Sequence, residues 1–217
     1  MMKTLPMRKT STILVLVVLA GLTTVSAWAQ TAAPATLSPQ EREFALKYLQ
    51  TTHDKFLQSI AGLSQKQWTF KPGPDRWSVA EVAEHITVAE SAILALIQKQ
   101  VMTSPAAPEK REQVKGKDEI ILQRMPDRSH KAQAPEILRP TGRWATEADL
   151  AKAFEESRKA TMDYVRTTND DLRDHFFDHP VFGTMDGYQW LLLLAGHSQR
   201  HTAQIEEVKA DPNFPKQ

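Results

Sequence analysis

The sequence predicts an all-α fold: a four-helix bundle with a long crossover between the second and third helices. Three observations predict it. Four segments carry apolar residues at helical spacing behind recognisable capping residues. No stretch reads as a convincing strand. A long connection over residues 103–145 holds Pro105, Pro108, Pro126, Pro135 and Pro140 with Gly116 and Gly142. Connections of that length are functional or serve as crossovers, and four-helix bundles use them to join parallel neighbours.

The chain starts with the features of an export signal. Lys3, Arg8 and Lys9 precede a short uncharged apolar run at residues 13–22, and Ala27-Trp28-Ala29 supplies small residues for cleavage before Gln30. Residues 1–29 are therefore expected to be a signal peptide. The alternative is an uncleaved N-terminal anchor, although the run is shorter than the ~20 residues that span a bilayer. Cleavage leaves no stable membrane span and places the protein in the periplasm or outside the cell. Residues 30–37 read as a flexible leader, 38–210 as the bundle and 211–217 as a tail.

The first helix is expected over residues 38–61. Ser38 caps it, Pro39 suits the first turn, Glu41 completes a capping box and Gly62 ends it. Phe44, Leu49, Phe56 and Ile60 are its apolar positions, with Tyr48 and Leu57 alongside. The second helix begins at the capping box Ser78-Val79-Ala80-Glu81 and runs to about residue 101, with Val82, Ile86, Ala89, Ile93 and Leu96 as its stripe. A short helix fits the crossover near residues 118–125. The third helix is expected over residues 146–168, capped by Thr146 and faced by Leu150, Phe154, Met162 and Val165. Residues 175–184 read as an ordered, partly extended loop. The fourth helix spans residues 186–209, with Asp186 and Gln189 as its capping box and Pro212 and Pro215 beyond its end.

Composition excludes several functions. Lys and Arg number 27 against 26 Asp and Glu, with no basic block, so nucleic acid is not an expected partner. After cleavage the balance is 24 against 26. The chain has no cysteine, which removes thiolate nucleophiles, iron–sulfur clusters and disulfides. Any bound metal must use His, Asp or Glu. The expected partner is a small-molecule substrate, and a homodimer is compatible with this reading.

Three of the seven histidines fall on inward stripes. His197 and His201 share a face of the fourth helix with Trp190, Leu193, Leu194, Gln204, Ile205 and Val208. Four residues at 1.5 Å each stack the two imidazoles about 6 Å apart along the axis, within reach of one ion. His85 lies between Val82, Ile86 and Ala89 on the second helix. A lone histidine on such a stripe is ordinarily a hydrogen-bonded core residue. Three buried imidazoles without partners are expensive, and a divalent metal satisfies them together. Ser198-Gln199-Arg200 separates the helical pair, so the Glu that serves as base in His-Glu-x-x-His proteases is missing. Glu81 and Glu84 read as cap and surface residues, His53 as a surface residue, and His130 as a loop residue. His175 and His179 read as loop residues or as the mouth of a site. Trp68, Phe70, Trp77, Trp144 and Trp190 either wall a pocket or pack the core and helix ends.

The segment Arg76-Trp77-Ser78-Val79-Ala80-Glu81-Val82-Ala83-Glu84-His85-Ile86 resembles the second-helix signature of the DinB-like superfamily. Gly196-His197-Ser198-Gln199-Arg200-His201-Thr202-Ala203-Gln204-Ile205 is similar to its last-helix signature. The resemblance covers about residues 38–210. It implies an up-up-down-down bundle and a metal site formed by one histidine of the second helix and two of the fourth, matching His85, His197 and His201. The implied metal is zinc or nickel, or manganese or iron. The implied activities are metal-dependent hydrolysis or S-transfer to a small thiol. A non-catalytic, exported metal- or ligand-binding bundle is the other function that fits.

Overall fold

The computed structural model describes residues 1–2, 36–130 and 133–216. The signal-peptide reading of residues 1–29, the cleavage site and most of the leader lie outside them. No described helix is long and apolar enough to cross a membrane.

Four long helices form where the capping residues place them. Helix α1 (Pro39–Ile60) starts at Ser38, whose hydroxyl accepts from the Glu41 amide while the Glu41 carboxylate accepts from the Ser38 amide. A single-turn helix, α2 (Gln65–Trp68), follows behind a second such box at Ser64 and Gln67. Helix α3 (Val79–Leu96) begins at the Ser78–Glu81 box and runs on through a π-helical turn, Ile97–Val101. The short crossover helix is α4 (Lys117–Arg124), and α5 (Glu147–Thr167) is capped by Thr146. Helix α6 (Gly187–Lys209) starts at the Asp186–Gln189 box.

The segment before α6 is more regular than an ordered loop. Strands β1 (Phe176–His179) and β2 (Gly183–Asp186) pair antiparallel, with His179 opposite Gly183 and Phe176 opposite Asp186. Gly183 takes a positive φ of 65°, which the tight return requires and a side chain would resist. Four-residue strands are too short to display a period, which is why the pattern is silent here.

Helix directions depart from the up-up-down-down order implied by resemblance. Arg42, near the start of α1, donates to the carbonyls of Val165 and Thr168 at the end of α5, so these two run antiparallel. Tyr188 donates to the Glu41 carbonyl, and Lys209 donates to the Ser59 carbonyl, so α1 and α6 run parallel. The starts of α3 and α5 share one apolar cluster, and Glu90 meets Arg158 further along both. The order is therefore up-down-down-up. Helices α1 and α3 each pack on α5 and α6. The long crossover is a geometric necessity, because it joins α3 to a parallel α5.

The core has two apolar clusters. One gathers Phe56, Ile60, Val82, Ile86, Phe154 and Ile205. The other gathers Leu49, Ala89, Ile93, Met162, Leu191 and Leu194. At their junction lies Arg158, fully buried, paired with the buried Glu90. Its guanidinium makes two 2.8 Å bonds to the Glu90 carboxylate and donates to Leu49 O, Thr52 Oγ1 and Ser198 Oγ. Thr161 also donates to Glu90, so one polar cluster touches all four long helices.

Candidate metal centre

Histidines 85, 197 and 201 meet between α3 and α6, with one ligand-capable nitrogen from each within 4.8 Å of the others. Their ring centroids are 4.9 Å (85–197), 4.4 Å (85–201) and 4.5 Å (197–201) apart. His85 is buried; the other two are partly buried. Gly196 lets α6 approach its neighbours beside His197: a Cβ there would stand 3.1 Å from Met125 and 3.3 Å from the Tyr48 hydroxyl.

Hydrogen bonds select the nitrogens that face one another. His85 Nδ1 lies 2.8 Å from the Leu138 carbonyl. A carbonyl only accepts, so Nδ1 carries the proton and Nε2 keeps its lone pair. His201 Nδ1 lies 2.8 Å from Gln204 Oε1, an oxygen that also accepts from Arg128 at 3.2 Å. That fixes His201 in the same tautomer. Carbonyl or carboxylate partners behind the ring are the usual support of metal-binding histidines.

His85 Nε2 and His197 Nε2 are 3.1 Å apart. Two bare lone pairs at that distance repel, so a proton or a cation must lie between them. Nitrogens each 2.0–2.1 Å from a tetrahedral zinc would stand about 3.3 Å apart. The observed spacing thus fits a shared ion with little movement.

Burial keeps the cluster neutral. It pushes His85 below the ordinary imidazole value and His197 well below it, with His201 and then His85 adding to the effect on His197. Burial, followed by the neighbouring His85, lowers His201 to about 3. These imidazoles offer ligating lone pairs at neutral pH and still do so in mild acid. Between pH 6.5 and about 3 the unfolded chain protonates His201 and the folded chain does not. Stability from this group is present above 6.5 and is lost as pH falls, at about 1.4 kcal/mol per pH unit. Denaturant titrations of chelator-treated protein at pH 7.5 and 5.5 should show a loss larger by roughly that amount than in His201→Ala. Parallel profiles for the two proteins would contradict the assigned depression.

Of the other residues singled out from the sequence, some stand where expected and others do not. His53 is half-buried rather than a surface residue; it bonds Asp54 and stacks on Phe154 at 5.8 Å. His130 is in the exposed crossover, where its carbonyl accepts from Arg200. His175 ties to the Ser104 carbonyl. His179 accepts from the Val181 and Phe182 amides and packs on Trp190 at 5.3 Å. Glu81 is the cap residue expected. Glu84, by contrast, is buried at 4% exposure and binds the crossover. Among the aromatic residues, Trp68 and Trp190 are core and Phe70 packs edge-on to Phe214. Trp77 packs on the His85 ring at 5.1 Å and so forms a wall of the cluster.

The pattern of inward stripes found the three histidines but not their supports. Gln204 had a local signal, three residues beyond His201 on the same helix face. The Leu138 carbonyl had none, because backbone placement in a crossover leaves no mark on residue type.

Comparison with known proteins agrees with this architecture. Residues 48–205 match the DinB superfamily. The uncharacterized protein YuaE of Bacillus subtilis (strain 168) is 23% identical over 150 residues, covering 69% of this chain and 88% of that protein. The solved structure of YfiT from Bacillus subtilis is similar with a TM-score of 0.54 at 14% identity, covering 83% of this chain and 92% of that one. YfiT is described as a probable metal-dependent hydrolase with an unusual four-helix bundle topology. At that identity the likeness establishes the shared four-helix fold.

Proposed function

The chain belongs to the DinB superfamily, and on that premise we propose that it is a metal-dependent hydrolase whose divalent ion is held by His85, His197 and His201. The observation that carries the reading is the convergence of three neutral imidazoles, two of them held in the Nε2-ligating tautomer. The description of YfiT supports the same class of reaction.

A divalent ion at this site would supply Lewis acidity and lower the pKa of water. The protein's own part is to present lone pairs and hold them still. Leu138 and Gln204 fix two ring planes, and Trp77 packs against the His85 ring. Three protein ligands leave room for water or substrate, which distinguishes catalytic from closed structural sites. Nitrogen donors without thiolates suit zinc or nickel first, with manganese and iron as further candidates. No carboxylate belongs to the three-residue cluster. Glu81 is engaged at the α3 cap and Glu84 in the crossover, so the proposal assigns no carboxylate base.

The test loads chelator-stripped protein separately with zinc, nickel, manganese and iron(II). Each form is assayed against ester, amide and thiol-transfer substrates, with His201→Ala as the blank. Hydrolysis that requires metal and disappears in the blank is the expected result. Thiol transfer without hydrolysis would replace the hydrolase reading. Absence of any turnover, with a fourth protein ligand closing the ion in X-ray absorption, would favour a non-catalytic metal-binding bundle.

A further inference from the structure

We propose that Glu84 is a positioning residue of the metal site: it anchors the crossover so that the Leu138 carbonyl holds His85 in its ligating tautomer. This rests on the metal reading above and assigns a role to a residue outside the three ligands.

Glu84 is an unusual residue for its place. It sits on α3 among Val82, Ala83 and Ile86 and is almost fully enclosed. A buried carboxylate must be paired or hydrogen-bonded, and this one is bonded almost wholly by backbone. Oε1 accepts from the Thr141 amide at 2.7 Å and its hydroxyl at 3.2 Å. Oε2 accepts from the Gly142 amide at 2.8 Å and the Arg143 amide at 3.3 Å. Arg143 Nε stands 3.7 Å from Oε1, on a side chain 45% exposed. Three successive amides turned onto one anion form a nest, and Gly142 permits the turn with its φ of 79°.

The consequence reaches the metal site over a short path. Leu138 lies three residues before Thr141 on the same strand of crossover, and its carbonyl accepts from His85 Nδ1 at 2.8 Å. Glu84 and His85 are neighbours on α3. Two adjacent residues therefore hold the crossover at two points: one binds the amides of residues 141–143, the other donates to the carbonyl of residue 138. Releasing the first leaves the second acceptor free to drift. His85 then loses the bond that keeps its proton on Nδ1, and Nε2 no longer presents a lone pair in a fixed direction. His201 provides an internal control, because Gln204, on its own helix, sets its tautomer. A general loosening of the bundle would move both rings; loss of the anchor moves His85 alone.

Linkage adds a reciprocal effect. If the crossover helps His85 bind an ion, a bound ion must stabilise the crossover equally. The Gly142 and Arg143 amides should then exchange with solvent more slowly in zinc-loaded protein, provided Glu84 is present.

The experiment uses the full chain with Glu84→Ala, Glu84→Gln and Gly142→Ala. Gly142→Ala disturbs the nest without touching the carboxylate, in a position where a Cβ meets no atom within 4 Å. It serves as the probe if Glu84→Ala does not fold. Zinc affinity is measured by chelator competition, and histidine tautomers by nitrogen-15 NMR of the metal-free proteins. Glu84→Ala should bind zinc about 10- to 100-fold more weakly. Glu84→Gln, which keeps one acceptor oxygen, should fall between it and the unmutated protein. Gly142→Ala should also be weakened. In the weakened variants His85 should populate both tautomers while His201 stays unchanged. Unmutated protein that takes up none of zinc, nickel, manganese and iron(II) would contradict the metal reading itself. Unmutated protein that binds zinc, with Glu84→Ala and Gly142→Ala binding it equally well and His85 unchanged, would overturn the positioning role. A joint shift of His85 and His201 would overturn it too.

Discussion

Arg158→Met is expected to cost the fold about 3–5 kcal/mol, because it leaves the Glu90 carboxylate buried without its counterion. The other partners of Arg158 have bonds to fall back on. Thr52 donates to the Leu49 carbonyl, and Ser198 to the Leu194 carbonyl. The orphaned charge is therefore confined to Glu90, and so is most of the cost. For a chain of this size the loss lowers Tm by something on the order of 10 °C. Pairing the change with Glu90→Leu removes the orphan. A buried ion pair replaced on both sides by apolar groups is often neutral or stabilising, so the double variant should be more stable than Arg158→Met alone. Thermal and denaturant unfolding of the parent, the two single variants and the double variant reads this directly. A single variant within about 2 °C of the parent would contradict the role given to the pair, as would losses that simply add.

This pair also shows where sequence reading stopped. The caps were legible because each is local: Ser38 with Glu41, Ser78 with Glu81, Asp186 with Gln189. Arg158 stands in the run Glu155-Glu156-Ser157-Arg158-Lys159, which has the composition of a solvated face. Its partner is on another helix, and no periodicity links the two. A signal did exist on the other side. Helix α3 is apolar around most of its circumference, as its buried Val79, Val82, Ala83, Ile86, Ala89, Ile93 and Leu94 show. A helix of that kind is buried on several faces, so its carboxylates must have partners. Glu84 and Glu90 both follow this rule, and the surface assignment of Glu84 failed by overlooking it. Helix order escaped for another reason: stripes say that a face is buried but not against which neighbour, or in which direction.

The three-histidine cluster was more legible than its surroundings. Histidine on an apolar stripe is conspicuous, and a four-residue interval fixes two rings on one face of α6. What fixes the third, and the angle of its ring, is the long-range placement of the Leu138 carbonyl behind His85.

His201→Ala is expected to abolish stoichiometric metal binding. It removes one of three imidazoles and leaves His85 and His197 as a two-ligand site, below the three protein ligands of catalytic zinc centres. The variant should remain folded, since His201 is only partly buried and its hydrogen-bond partner, Gln204, keeps Arg128. Circular dichroism establishes that point. Gln204→Ala is the graded companion: it keeps all three ligands and should weaken affinity about 10- to 100-fold without changing stoichiometry at saturation.

Elemental analysis of purified, dialysed protein beside folded His201→Ala decides whether the three histidines hold an ion. The expected result is about one divalent ion per chain in the parent and almost none in the variant. An ion retained in full by His201→Ala would contradict it.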